Sequence, residues 1–203
     1  MKEAITIHTF GDSHCGFKGC NWDNIHIEGI DIRTHWIGAK TCFSFGIKKL
    51  NTLDISKFDV KDGDIVCFSF GEIDVRVHIN KIIVDWKLFI DYMGDRYFNA
   101  IKQNVSQFNL LGVMVSCVTP VAFGINDPEY PTRGTNEERR EYTEYINSII
   151  NDQCVLNNYI YFDFYNDYCN KDGYLNMELS DGHVHIKNAK FMKQRLIDII
   201  DRL

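Results

Sequence analysis

The 203 residues are 45% hydrophobic and 25% charged, enough for one full-sized core, so a single domain over residues 1–203 is expected rather than two small ones. A formal net charge of −6 without clustered Lys and Arg argues against a nucleic-acid surface. The longest clean apolar run, Leu110 to Val118, is too short to span a bilayer, and the opening MKEAITIHTF, with its charged Glu3, lacks a secretory pattern, so no membrane partner is expected.

Along the chain, strands are expected at 4–10 (AITIHTF), 29–37 (GIDIRTHWI), 64–70 (DIVCFSF), 110–118 (LLGVMVSCV) and 158–164 (NYIYFDF). The second alternates more than the others, which suits a sheet edge. A helix is expected from about Lys81 to Gln107, with Ile82, Trp86, Phe89, Ile90, Met93, Tyr97 and Ile101 on one face and Gly94 as its weak point. A second begins where Thr135 and Glu138 form a capping box, followed by a stripe of Tyr142, Tyr145, Ile146, Ile149 and Ile150. The last is the amphipathic NAKFMKQRLIDIIDRL at the end of the sequence. The seven cysteines are odd in number, scattered and without a CxxC pair; this fits a reduced, cytoplasmic compartment, with Cys67 and Cys117 as small hydrophobes in strands.

Strands alternating with helices imply an α/β fold, three layers deep, with a mostly parallel five-stranded sheet. Ligand sites in such sheets gather at the C-terminal ends of the strands. There the sequence places GDSHCG after the first strand, GAK after the second, GEIDVRVH after the third and a long polar segment after the fourth; SDGHVH lies ahead of the last helix. Ser13 in GDSHCG sits where a hydroxyl can open a helical turn with its own N–H free for an oxyanion, although the same placement suits a simple helix cap. A serine nucleophile needs a base and an orienting acid, and the terminal loop supplies Asp181 with His183 and His185.

This ordered set, GDS, a glycine after the second strand, GEID and DGHVH, resembles the GDSL/SGNH hydrolase superfamily over nearly the whole chain. The resemblance implies a flavodoxin-like architecture, Ser13 as nucleophile, Asp181 and a following histidine as the rest of a triad, and Gly38 as an oxyanion donor. The usual spacing of three between Asp and His falls on Val184, which leaves His183 and His185; His185 is favoured because HIKNAK leads into the last helix. The family's third block supplies an Asn, but Ile73 stands at that position and cannot donate a hydrogen bond. Arg76 is the candidate replacement, held by Glu72 or Asp74, with a structural ion pair as the alternative. The implied reaction is acyl transfer from a small ester, with an acetyl ester of a carbohydrate as the expected substrate and water or an acceptor hydroxyl releasing the acyl group. The segment from Val121 to Asn136 is expected to overhang the site. No metal or other cofactor is expected, and the oligomeric state is not readable from the residues.

A second resemblance competes. Calcineurin-like metallophosphoesterases also pair D-x-H after the first strand with G-H-x-H, and Asp12, His14, His183 and His185 match that pattern. Such ligands would hold two divalent ions about 3.5–4 Å apart against a phosphate ester. Against this, GNH is absent, and no histidine lies between Asn80 and Gly182 to complete the ligand set. A non-catalytic binding module on the same fold is the third alternative.

Overall fold

Five apolar stretches pair into one parallel sheet in the computed structural model, which describes residues 5–16, 21–82, 85–125 and 128–203. The strands are β1 (Ile5–Gly11), β2 (Ile30–Trp36), β3 (Ile65–Ser69), β4 (Gly112–Ser116) and β5 (Ile160–Phe162), in the order β2-β1-β3-β4-β5. All four pairings are parallel, and β2 lies at an edge, as its alternation suggests. Ala4, Cys20 and positions 83–84 and 126–127, which fall within the expected elements or cysteine set, lie outside the described residues.

The two-residue period of each strand divides its side chains between two cores. Phe10, Val66, Phe68 and Val115 face helices α1 (Cys42–Lys48), α2 (Trp86–Val105) and α3 (Asn136–Asn157), where Phe45, Met93, Tyr97, Ile146 and Ile150 are buried. Ile7, Ile65, Cys67, Met114 and Phe162 face α4 (Lys190–Ile200) and the Trp22 turn on the other side. The result is helix, sheet and helix in three layers, the arrangement expected when parallel strands must be covered on both faces.

Four details depart from the expectation. Helix α2 starts at Trp86 because the Asp85 side chain accepts from the Lys87 N–H at 2.8 Å and so caps it there; Ile82 lies outside the helix. Residues Asp74–His78 coil into a π-helical turn instead. Gly94 is a close-approach position rather than a weak point, since a Cβ there would come within 2.5 Å of Ile149 Cγ2 on α3. Helix α1 was not anticipated. It has only seven residues, held at its start by a Thr41–Ser44 capping box and by the distant Asp74 carboxylate, which accepts from Cys42 N at 2.7 Å and Phe43 N at 3.2 Å.

The sheet order places the site. From β1 the chain crosses outward to β2 and then returns to β3 on the other side of β1, so the order reverses at β1 and a crevice opens beyond its C-terminal end. Gly11 closes β1 against β3 so tightly that a Cβ would run into the Ser69 carbonyl. That carbonyl accepts the Asp12 N–H at 3.3 Å, and the Ile37 N–H donates to Gly11 O at 2.8 Å. The ends of three strands are thereby tied around residues 11–13.

Gly46 tests the packing of α1 on α2. Alanine should favour helix by about 1 kcal/mol, but its Cβ would stand 2.9 Å from Arg96 C and Tyr97 N, backbone atoms that cannot move aside cheaply. Gly46→Ala is expected to lose about 1–3 kcal/mol of stability in urea denaturation; a gain would show that the two helices are loosely docked.

Candidate active site

Ser13 opens a short 3-10 turn, Ser13–Cys15, directly after β1. The turn is set by Asp12, whose carboxylate Oδ1 accepts the His14 N–H at 2.9 Å. Ser13 Oγ lies 2.8 Å from Nε2 of His185, and Nδ1 of the same ring lies 2.9 Å from Asp181 Oδ2. A hydroxyl, an imidazole and a carboxylate therefore form one continuous chain.

The terminal loop achieves this at a spacing of four by folding on itself. Asp181 N–H donates to His185 O at 3.0 Å, and Asp181 Oδ1 accepts from His183 N at 2.9 Å and His185 N at 3.2 Å. Gly182 takes φ +92°, a conformation that suits glycine and absorbs the additional residue. His185, not His183, meets Ser13, and the His183 ring packs against Tyr130 with ring centroids 5.2 Å apart. Tyr130 also meets the His185 ring edge-on at 5.4 Å, which brings the 121–136 segment to the site through its described residues.

The electrostatics suit a base. Burial and the neighbouring His14 push the His185 pKa down, and the Asp181 hydrogen bond and charge recover only part of this, so the ring stays below the ordinary histidine value. Burial alone would raise the Asp181 carboxyl; the His185 ring and the backbone N–H groups that it accepts hold it below its usual range. The neutral imidazole and the charged carboxylate are thus the favoured states.

Gly38 follows β2 with φ +87°. Neither its N–H nor that of Ser13 donates to another group among the described residues. Arg76 is held by Glu72, as expected of either an oxyanion donor or a structural ion pair. Its Nε donates to Glu72 Oε1 at 2.6 Å and its Nη1 to Pro131 O at 2.9 Å, while its own carbonyl accepts from Arg133 N at 2.9 Å. Two of its three nitrogens are committed, and the side chain works as a strut that ties the 128–133 stretch to the turn after β3. Asp74 does not hold Arg76 at all. It is fully buried on the α1 N-terminus, and burial raises its pKa to about 7 even though Phe43 and Cys42 donate to it.

The residues of the metal reading are occupied otherwise. His14 directs Nδ1 at Asp12 Oδ1, 3.1 Å away, and Nε2 at the Val184 carbonyl, 3.3 Å away; both nitrogens of His185 are used by Asp181 and Ser13. Among the described residues, no three His, Cys, Asp or Glu side chains are grouped to hold an ion. Among the same residues no disulfide joins the six cysteines, and no helix is long and apolar enough to cross a membrane.

Neither a protein-family model nor a curated protein matches the sequence. Solved structures do match the fold. A GDSL-like lipase from Bacteroides thetaiotaomicron superposes with a TM-score of 0.65 at 15% identity, covering 100% of this chain and 90% of its own. Est24, a carbohydrate acetylesterase from Sinorhizobium meliloti, gives 0.62 at 13% identity over 98% and 100% of the two chains. Axe2, an acetylxylan esterase from Geobacillus stearothermophilus, gives 0.60 at 13% identity over 98% and 95%. At these identities the likeness is one of fold: the chain has the three-layer architecture of the GDSL/SGNH hydrolases.

The strut reading of Arg76 is separable from an oxyanion role. Arg76→Ala should cost about 1–3 kcal/mol of stability, because it removes hydrogen bonds made by a charged group, and should speed proteolytic cleavage within 128–133. An unchanged cleavage rate with a hundredfold fall in ester turnover would instead place Arg76 at the oxyanion.

Proposed function

We propose that this chain is a serine ester hydrolase in which Ser13 is the nucleophile, His185 the general base and Asp181 the group that orients and charges the base. The observation that carries this reading is the unbroken run from Ser13 Oγ through the His185 ring to Asp181, at 2.8 and 2.9 Å. His185 Nε2 takes the Ser13 proton as Oγ attacks the ester carbonyl; the imidazolium is steadied by Asp181 and then protonates the departing alkoxide. Water, deprotonated by the same nitrogen, releases the acyl group from Ser13. The uncommitted N–H groups of Ser13 and Gly38 are the proposed oxyanion donors, each of a kind whose loss costs about 10² to 10³ in rate.

A small acyl group, acetyl above all, on a carbohydrate is the proposed substrate class. A cleft between the turn after β3 and Val184, the residue before the base, is lined by Glu72, Arg76, Arg139, Thr143, Val75 and Val118 among others. Its threonines, carboxylate and two guanidinium groups suit a hydroxyl-bearing substrate better than a lipid tail. The carbohydrate acetylesterase and the acetylxylan esterase among the fold neighbours support the same choice.

The test is hydrolysis of p-nitrophenyl acetate. Ser13→Ala should lower kcat by about 10⁴-fold or more, and EDTA should have no effect. Full activity in Ser13→Ala, with loss on chelation, would overturn the proposal. The pH profile has a definite sign. Catalysis needs neutral His185, and its pKa lies below 6.5, so kcat/KM should hold as pH falls through 6.5 and drop only in more acidic solution.

A further inference from the structure

His14 takes no part in the steps above, yet it is among the most constrained side chains near Ser13. It is 4% exposed, and each ring nitrogen faces an oxygen that can only accept: Nδ1 is 3.1 Å from Asp12 Oδ1, and Nε2 is 3.3 Å from the Val184 carbonyl. A neutral imidazole carries one N–H and would turn a lone pair toward one of these oxygens. Only the imidazolium, with two N–H donors, satisfies both.

Two further facts connect this cation to the base. Val184 lies between His183 and His185, so the bond from His14 fixes the peptide that leads directly into His185. The rings of His14 and His185 also stand 4.8 Å apart, centroid to centroid, with their planes 41° from parallel. A positive charge at that range, inside the protein, disfavours a second one on His185.

We propose that His14 is a positioning residue for the His185 base: clamped as a cation by Asp12, it grips the Val184 carbonyl to set the His185 ring against Ser13 and keeps that ring free to accept a proton in acidic solution. This rests on the reading of Ser13 and His185 as nucleophile and base. His14 itself passes no proton to substrate or serine.

The surrounding charges agree. From its own turn His14 is faced by Asp12, and from the residues after β3 by Glu72, one of whose oxygens is held by Arg76. From the terminal loop come His185 and its partner Asp181, and His183 stands beyond, against Tyr130. Burial opposes the cation, but the Asp12 hydrogen bond and charge, with help from Glu72, outweigh it and bring His14 up to about 8. On His185 burial works against protonation and His14 adds to it, whereas Asp181 and Glu72 favour it. Removing the His14 charge leaves only burial against these two carboxylates, so the base should become easier to protonate.

His14→Gln and Asp12→Asn test this through the pH dependence of kcat/KM on p-nitrophenyl acetate. Both should lower turnover at every pH, because the grip on Val184 is weakened, and both should move the acid limb upward by about one pH unit, the low end for loss of a nearby like charge. A uniform loss with an unmoved acid limb would reduce His14 to a packing role and overturn the proposal. Should either variant fail to fold, imidazole ¹⁵N NMR of the unaltered protein decides: two protonated nitrogens on His14 at pH 7 support the cation, and a neutral tautomer contradicts it. If Ser13→Ala proves fully active, the hydrolase reading fails by that result alone, while the NMR signal still reports on the charge of His14.

Discussion

One carboxylate, Asp181, holds the terminal loop in a shape that brings its histidine to Ser13. It accepts two backbone N–H groups through Oδ1 and the His185 ring through Oδ2, while its own N–H closes the loop on His185 O. These bonds determine where the ring points before any substrate arrives. Catalysis by a serine hydroxyl depends on that preorganisation, since a neutral hydroxyl is a weak nucleophile without a base already within hydrogen-bond reach.

The sheet supplies the other half of the arrangement. Because every strand runs the same way, the turns after β1, β2 and β3 meet at one rim, and the reversal of strand order at β1 leaves Ser13 in the crevice. The close approach of Gly11 to Ser69 and the bond from Ile37 to Gly11 O leave little freedom in this turn. Around it, Asp12, His14, His185 and Asp181 follow one another in space, two imidazoles between two carboxylates. Asp12, His14 and His185 are buried, and the hydrogen bonds that each makes offset part of the cost of desolvation, while Asp181 stays partly exposed.

Much of the scaffold was legible in the residues. Buried strands of a parallel sheet read as short apolar runs, and all five were placed within about two residues, because burial on both faces leaves few other residue choices. The Thr135–Glu138 capping box marked the start of α3 for an equally local reason. Helix α1 escaped notice because seven residues give too short a stripe, and part of its cap comes from Asp74, thirty-odd residues further on. Gly94 looked weak because nothing local shows that Ile149 lies against it. At the site, GDS and DGHVH pointed to Ser13, Asp181 and His185, whose side chains stand in contact. Arg76 was harder, because its partner on Pro131 is set by a loop whose path no spacing rule encodes. His14 entered only as a candidate metal ligand; its neighbours, Asp12 Oδ1 and the Val184 carbonyl, include one that lies 170 positions away.

The most direct measurement of the account is the reaction of the whole protein with a fluorophosphonate, followed by mass-spectrometric mapping of the adduct. A serine activated by His185 should give one adduct, on Ser13, that disappears when His185 is replaced by alanine. No adduct, or an adduct on Ser13 that forms as readily in His185→Ala, would contradict the claim that the two side chains act as nucleophile and base.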